Sequence, residues 1–224
     1  MTVARQEKRG IIWDLDGTIY ENTPAMQNAW LQGFYQTAHH YGLGLTREEA
    51  DQKTWDGFRR YGHAVRAYSI EHGIEETAFC ERLLTFVDVT LVPQCAQTKE
   101  YFNHHQDMAM AILTSAHKKW AGPVLRHIGL DHLFPEERVI AYDDTSGELK
   151  SHSETPFRMA AAALNLPPAQ LVMVEDTAAN LIIAKELGMT TVLVTHGDTS
   201  VTPGAHIDFV VSKAYEVFSL MNEG

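Results

Sequence analysis

IIWDLDGTIYENT, at residues 11–23, places two aspartates directly after an apolar run. Gly10 to Trp13 have the composition of a short buried strand that ends at Asp14. Carboxylates as close as Asp14 and Asp16 repel each other, and burying them costs free energy unless a positive group neutralises them. The stretch therefore predicts either a site that binds a positive group or a solvated, Asp-rich turn without chemistry.

The composition is that of a folded, acidic globular protein. The chain has 224 residues, of which 45% are apolar, so its core suits one large domain or one domain with an insertion. A formal net charge of -11 argues against a nucleic-acid partner and an anionic membrane surface. It still allows a small anionic substrate, which a few local cations can hold.

Cysteine use and the N-terminus bear on location. Cys80 and Cys95 provide neither a disulfide framework nor a zinc-site spacing. The N-terminus is polar and Asp14 interrupts the apolar run after it, so the sequence predicts no signal peptide and no membrane span. We therefore expect a cytoplasmic protein with reduced thiols and no membrane partner.

The chain between about residues 23 and 91 has a helical rhythm. Its apolar residues recur at helical spacing, and Gly42, Gly44, Gly62 and Gly73 punctuate it as helix ends. This pattern predicts a helical domain over 21–93, inserted into a second domain formed by 1–20 and 94–224.

After Pro93, short apolar runs alternate with helical patterns. A continuous apolar run such as MAMAILTS (108–115) is typical of a strand covered on both faces. Such alternation predicts an α/β fold in which a parallel sheet has helices on both sides. The other predicted strands are 138–142, 171–176, 190–197 and 208–211, and the predicted helices include 155–165 and 178–188.

Polar side chains follow three of the predicted strands. In a parallel sheet the carboxyl ends of the strands lie at one edge, where ligands bind, so we expect these side chains to share one site. They are Asp14 and Asp16 after the first strand, Thr114 and Ser115 after the second, and Glu175 and Asp176 after the strand at 171–176.

This group of carboxylates suits a magnesium ion. Residues i and i+2 of extended backbone point the same way, so Asp14 and Asp16 can face one site. Glu175 and Asp176 bring the number of carboxylates to as many as four, and Mg²⁺ is the usual hard cation that relieves such repulsion. Lys150 completes the charge balance, because the loop before the helix at 155–165 leads to the same edge.

The same groups suit phosphoryl transfer to a carboxylate. In such a reaction Asp14 would attack phosphorus and form an aspartyl-phosphate, and Lys150 and Mg²⁺ would keep it ionised. Asp16 starts protonated, gives its proton to the leaving oxygen and later takes one from the attacking water.

Phosphate oxygens need donors around them. We expect Lys150 and backbone N–H groups to donate to these oxygens, together with the hydroxyl of Thr114 or that of Ser115. Gly17 lets the backbone approach the phosphate, and Thr18 holds the turn by a local hydrogen bond.

Four motifs resemble those of the haloacid dehalogenase (HAD) superfamily: DLDGT at 14–18, Thr114, Lys150 and ED at 175–176. The resemblance covers nearly the whole chain. It implies a Rossmannoid three-layer α/β core with a parallel sheet, and a cap made by the helical insertion. It also implies Mg²⁺ bound by the side chains of Asp14 and Asp176 and the backbone carbonyl of Asp16, with Glu175 bound directly or through another ligand.

Asp16 separates subclasses of that superfamily. The dehalogenases resemble one another in lacking an acid there, so Asp16 implies a phosphatase or a phosphomutase. The motif lysine is usually followed by proline, as KPxP, whereas this chain reads LKSHSETPF at 149–157. Lys118 and Lys119 are therefore kept as alternatives to Lys150.

The helical insertion points to a substrate class. LTREEADQKTWDGFRRYGHAVRAY (45–68) resembles the pyrimidine 5′-nucleotidase branch, which implies a nucleoside 5′-monophosphate as the substrate. Arg59, His63 and Arg66 are the candidates for substrate contact, and a solvated helix face is the alternative interpretation of the two arginines. Phosphoglycolate phosphatases and β-phosphoglucomutase share the same core and are alternatives, as is a HAD scaffold without turnover. We expect a small phosphorylated metabolite as the partner, and the sequence indicates no oligomeric state.

For four further polar residues the sequence predicts mainly structural roles. Asp143 and Asp144 are predicted turn residues, and His196 is a predicted loop residue. Asn180 either orients Asp176 or simply occupies the first turn of the helix at 178–188.

Overall fold

A computed structural model describes residues 9–222 of the chain. Its contacts divide the chain into two compact units. Of the described residues, 9–21 and 94–222 form one, which we call the sheet unit, and Asn22–Pro93 forms the other, which we call the helical unit. That the helical unit serves as a cap stays a prediction.

In the described part of the sheet unit, the strands form one parallel sheet of six, which confirms the predicted α/β class. The order across the sheet is β3-β2-β1-β4-β5-β6. The strands are β1 (Gly10–Trp13), β2 (Ala109–Leu113), β3 (Val139–Ile140), β4 (Leu171–Glu175), β5 (Thr190–Val194) and β6 (Phe209–Val211).

Helices follow the strands in the sheet unit and make up most of the helical unit. Between residues 9 and 222 there is no helix long and apolar enough to cross a bilayer. The helices are α1 (Pro24–His40), α2 (Arg47–Tyr61), α3 (Ala64–His72), α4 (Glu76–Leu83), α5 (Ala96–His104), α6 (Lys118–Ile128), α7 (Thr155–Leu164), α8 (Leu181–Glu186) and α9 (Val217–Asn222).

The position of β1 determines where the polar strand ends meet. β1 pairs with β2 on one side and β4 on the other, with Trp13 beside both Ile112 and Val174. The strand order reverses its direction of growth at β1, which is the point where open α/β sheets bind ligands. Just beyond β1, the Asp14 N–H still donates to the Val174 carbonyl at 2.9 Å, which fixes the backbone of the acidic pair.

Both faces of β1 are buried, as its continuous apolar sequence requires. Ile12 packs into a cluster that includes Phe157 of α7. Trp13 points to the opposite face, where its ring lies 4.7 Å from Phe102 of α5 and 5.5 Å from Phe218 of α9, centroid to centroid. Because successive residues alternate between faces, α7 and the α5–α9 pair cover opposite sides of the sheet.

Local sequence explains where the helices of the helical unit begin and end. Thr46 and Glu49 form a reciprocal capping box at the start of α2, which satisfies two N–H groups that the helix leaves open. Gly62 and Gly73 end α2 and α3 in the left-handed conformation, with φ of 70° and 67°, which a side chain would disfavour. These are two of the predicted helix ends.

Several predicted elements are shorter than their sequence patterns suggested, and local hydrogen bonds and turns account for two of them. The strand predicted over 138–142 is limited to β3, because the Asp144 carboxylate accepts from the Ala141 N–H at 2.9 Å and closes a turn there. The helix predicted over 178–188 begins with a 3₁₀ turn at Ala178–Asn180, so α8 starts only at Leu181.

Gly57 tests the tight packing of α2 against α3. An added Cβ would lie 2.6 Å from the Ala64 carbonyl oxygen and 2.9 Å from its Cα, which are backbone atoms that cannot rotate away. We expect Gly57→Ala to lower the free energy of unfolding by about 1–3 kcal/mol despite the better helix propensity of alanine. Urea unfolding followed by circular dichroism would measure this loss.

Gly33→Ala of α1 is the matched control. There an added Cβ would meet Leu83 Cδ1 at 2.9 Å and Val87 Cγ2 at 3.0 Å, and both are ends of side chains that can move. We expect this variant to lose less than about 1 kcal/mol. Equal losses in the two variants would contradict the backbone-contact explanation.

Candidate active site

Asp14 is buried at the end of β1, with a donor on each carboxylate oxygen. The Lys150 ammonium lies 2.5 Å from Oδ1, and the Thr18 hydroxyl donates to Oδ2 at 2.9 Å. Thr18 comes to Asp14 because Gly17 turns the chain, with a φ of 86° that favours glycine. The local hydrogen bond expected of Thr18 is therefore present, and its acceptor is Asp14 itself.

Lys150 is the positive centre of the site. Its side chain is 3% exposed, and Nζ lies 2.5 Å from Asp14 Oδ1, 2.7 Å from Glu175 Oε1 and 3.2 Å from the Leu113 carbonyl oxygen. Burial alone would lower the pKa of Lys150, but the two adjacent carboxylates raise it above its ordinary value. The ammonium therefore stays charged.

The loop around Lys150 reaches the site without the KPxP pattern. The N–H groups of His152 and Ser153 both donate to the Leu149 carbonyl at 3.0 Å, so a helical turn carries Lys150 inward. The alternative lysine at 118 lies elsewhere, with its Nζ 2.9 Å from Asp144. The structure thus brings Lys150, and not Lys118, to Asp14.

Glu175 is fixed by several donors at the end of β4. Besides Lys150, the Thr177 N–H and the Asn180 amide donate to its two oxygens, each at 2.6 Å. Burial alone would raise the pKa of Glu175, but Lys150 and these donors lower it. Asn180 therefore orients Glu175, whereas the sequence had suggested Asp176 or no role.

Three carboxylates surround the place where a cation would bind. Asp14, Glu175 and Asp176 each offer an oxygen, and these atoms lie within 4.8 Å of one another. Burial and the neighbouring Glu175 raise the pKa of Asp176 to about 9. Burial also raises the pKa of Asp14 to about 7, even though Lys150 opposes the shift. One lysine does not balance this charge, and an all-oxygen donor set fits a hard divalent cation such as Mg²⁺.

Asp16 receives donors from three different elements. Oδ1 accepts from the Tyr20 hydroxyl and from the Trp120 indole N–H at 2.7 Å, and Oδ2 faces the Thr114 hydroxyl at 3.4 Å. Burial raises the pKa of Asp16, although these donors oppose the shift. Tyr20 and Trp120 were not among the predicted site residues, because an isolated aromatic residue belongs to no motif.

The remaining phosphate-binding candidates line the same strand ends. The Thr114 hydroxyl accepts from the Ala116 N–H at 3.0 Å, which shapes the turn after β2, and Ser115 lies half-buried within that turn. The Gly17 carbonyl accepts from His196 Nε2 at 2.6 Å. His196 is therefore a loop residue, as predicted, but it also supports the Gly17 turn.

The three substrate candidates lie in the helical unit. Arg59 pairs with Asp56, and Arg66 Nε lies 3.8 Å from Glu76 Oε1. His63 precedes α3 as its N-cap residue. Their role in substrate contact stays a prediction.

Replacing Lys150 by methionine tests the buried ion pairs. Lys150→Met leaves the Asp14 and Glu175 carboxylates buried without their cation, which costs about 3–5 kcal/mol of unfolding free energy when one partner of a buried pair is removed. Lys185→Met is the control, because Lys185 pairs with Asp208 at the surface and should contribute at most about 1 kcal/mol. Chemical unfolding of both variants would compare the two losses of unfolding free energy. Similar losses would contradict the stabilising role of the buried ion pairs that Lys150 forms with Asp14 and Glu175.

Comparison with known proteins gives the family. The model described as haloacid dehalogenase-like hydrolase matches residues 8–188. The chain is 27% identical to fructose-1-phosphate phosphatase YqaB of Escherichia coli (strain K12), over 80% of this chain and 93% of that protein. It is 25% identical to phosphoglycolate phosphatase of Colwellia psychrerythraea, over 86% of each.

Solved structures confirm the fold. A HAD phosphatase from Thermococcus onnurineus superposes with a TM-score of 0.65 at 21% identity, over 95% of this chain and 97% of that one. L-2-haloacid dehalogenase from Xanthobacter autotrophicus superposes with a TM-score of 0.65 at 13% identity, over 96% and 98%. Because the family model spans most of the sequence, the chain belongs to the haloacid dehalogenase-like hydrolases.

Proposed function

We propose that the protein is a Mg²⁺-dependent phosphatase that hydrolyses the phosphate monoester of a small metabolite through an aspartyl-phosphate on Asp14. The chain is an enzyme of a hydrolase family, and its curated relatives are named as phosphatases. The observation that carries the proposal is the buried clamp in which one ammonium contacts both Asp14 and Glu175, beside Asp176. Asp16 favours ester hydrolysis, because the leaving oxygen of an ester needs a proton.

The residues of the chain divide the work of the reaction. An Asp14 carboxylate oxygen forms the new bond to phosphorus, and Lys150 and Thr18 orient that carboxylate through its two oxygens. Asp16 protonates the departing oxygen and then accepts a proton from the water that cleaves the aspartyl-phosphate. Lys150 also offers positive charge to the transferring phosphoryl group.

A divalent cation would complete this arrangement. The side chains of Asp14 and Asp176 and the backbone carbonyl of Asp16 would hold it, with Glu175 as a direct or indirect ligand. Bound there, Mg²⁺ supplies positive charge for the phosphoryl oxygens and lowers the repulsion between the carboxylates.

Different observations favour different substrate classes. The relatives that match most of the chain are named for fructose 1-phosphate and for phosphoglycolate, which favours a sugar phosphate or a small phosphorylated acid. The resemblance of residues 45–68 to the pyrimidine 5′-nucleotidase branch favours a nucleoside 5′-monophosphate. A β-phosphoglucomutase-like enzyme and a scaffold without turnover are the alternatives to hydrolysis.

Phosphate release from a substrate panel tests the reaction. We expect Mg²⁺-dependent release from at least one of fructose 1-phosphate, phosphoglycolate, UMP and CMP, and loss of release in EDTA. Asp14→Asn should lower the rate more than about 1,000-fold, because it removes the nucleophile while the Lys150–Glu175 pair remains. Asp131→Asn, at an exposed position of the same unit, is the matched control and should keep the wild-type rate.

Each outcome of the panel has one meaning. Near-wild-type turnover by a folded Asp14→Asn variant would overturn the mechanism. Conversion of a sugar phosphate into its isomer without free phosphate would identify a mutase instead. No release and no conversion by the folded wild type would favour the scaffold.

Thermal unfolding tests the cation without measuring activity. At ten times its dissociation constant, Mg²⁺ should add about 1.4 kcal/mol to the stability, which raises the melting temperature by about 3–6 °C. Asp176→Asn should abolish this rise. The metal-free variant should nevertheless be at least as stable as the wild type, because metal-free Asp176 must either stay charged while buried or take up a proton at a pH above its ordinary pKa, and asparagine does neither. Asp131→Asn should keep the full rise, and an unchanged rise in Asp176→Asn would contradict the proposed ligand.

A further inference from the structure

Tyr20 and Trp120 both direct a donor at the same oxygen of Asp16. The Tyr20 hydroxyl and the Trp120 indole N–H, at 2.7 Å, donate to Oδ1. Both aromatic side chains are buried, at 4% and 3% exposure. Tyr20 lies on the chain just beyond the Gly17 turn, whereas Trp120 belongs to the first turn of α6. The carboxyl group is therefore held from two separate elements.

The two donors distinguish the two oxygens of Asp16. A carboxylate oxygen offers about two lone pairs, and the donors from Tyr20 and Trp120 occupy those of Oδ1. A proton on Oδ1 would leave one of these buried donors without an acceptor, which is unfavourable. A proton carried by Asp16 therefore resides on Oδ2, the oxygen that faces Thr114 at 3.4 Å.

The aromatic rings also limit the rotation of Asp16. A buried indole or phenol ring has two side-chain torsions and close packing around it, so its donor stays in one place. The Lys150 clamp contacts Asp14 and Glu175, so the geometry of Asp16 depends on other groups. Tyr20 and Trp120 are buried donors that can fix the orientation of the Asp16 carboxyl group.

We propose that Tyr20 and Trp120 are positioning residues that hold the Asp16 carboxyl with Oδ2 directed at the leaving oxygen of the substrate. This inference rests on the proposed phosphatase function. As an Asp14 oxygen bonds to phosphorus, the bond from phosphorus to the leaving oxygen breaks and its electron pair stays on that oxygen. The proton passes from Asp16 Oδ2 to the leaving oxygen, and Asp16 becomes a carboxylate.

The second half of the reaction restores the acid. Water attacks the phosphorus of the aspartyl-phosphate and gives a proton to Asp16 Oδ2, while the bond between phosphorus and Asp14 breaks. Phosphate leaves, Asp14 is again a carboxylate, and Asp16 is again protonated. Tyr20 and Trp120 keep their protons throughout and act only through Oδ1.

Leaving groups of different basicity test the proposal. A sugar alkoxide needs a proton to depart, whereas 4-nitrophenolate departs without one. We expect Tyr20→Phe to lower kcat/KM for the best sugar phosphate by about 10-fold or more, within the range that general acid catalysis contributes. The kcat/KM for 4-nitrophenyl phosphate should change less than about 3-fold, since this parameter reports the steps through leaving-group departure.

Further variants separate positioning from a general loss of structure. Trp120→Phe should show the same dependence on the leaving group. Tyr101→Phe, on the partly exposed face of α5, is the matched control and should leave both substrates unchanged. In an Asp16→Asn background, Tyr20→Phe should cause no additional loss on the sugar phosphate, because its effect passes through Asp16.

The outcomes distinguish this inference from the proposed function. Equal losses on both substrates, or no loss on either, would overturn the positioning role even if the wild type is an active phosphatase. An additional loss from Tyr20→Phe in the Asp16→Asn background would also overturn it. A folded wild type that releases phosphate neither from 4-nitrophenyl phosphate nor from any substrate of the panel with Mg²⁺ would overturn the proposed function and this inference with it.

Discussion

One buried ammonium group holds three distant parts of the chain at the same point. Lys150 Nζ lies 2.5 Å from Asp14 after β1 and 2.7 Å from Glu175 at the end of β4, and it arrives on the loop before α7. A buried charge that loses its ion-pair partner lowers the stability of the fold, so both partners of such a pair are needed. The sheet places the strand ends side by side, and Lys150 fixes the carboxylates on them.

The four carboxylates at the strand ends have different surroundings. Glu175 accepts from Lys150, Thr177 and Asn180, so it anchors the site with a lowered pKa. Burial, together with repulsion from Glu175, raises the pKa values of Asp14 and Asp176. Asp16 is oriented by neutral donors instead. Buried carboxylates whose charge is not balanced lower the stability of the fold, and they are common in active sites.

The fold and the centre of the site were accessible from the sequence, but the support around them was not. Continuous apolar runs alternating with helical patterns identify a parallel sheet, and polar residues at the strand ends identify its ligand-binding edge. The partners of Asp16 and Glu175 depend on how side chains from separate elements approach each other. The sequence positions of Tyr20 and Trp120 do not indicate that they contact Asp16. Asn180 could contact either Glu175 or Asp176. The turn around Lys150 was also hidden, because other residues form it in place of prolines.

The strand order has a consequence for the order in which the newly made chain can fold. Among the described strands β1 comes first along the chain, yet its neighbours are β2, whose Ala109 lies beside Gly10, and β4, whose Leu171 lies beside Gly10 on the other side. Closing loops of such length costs entropy before any contact compensates, which slows folding. A nascent chain that ends before residue 171 has one edge of β1 uncovered and lacks Glu175. The apolar strand beside Asp14 therefore gains its second neighbour only after Leu171 and the rest of β4 have been synthesised.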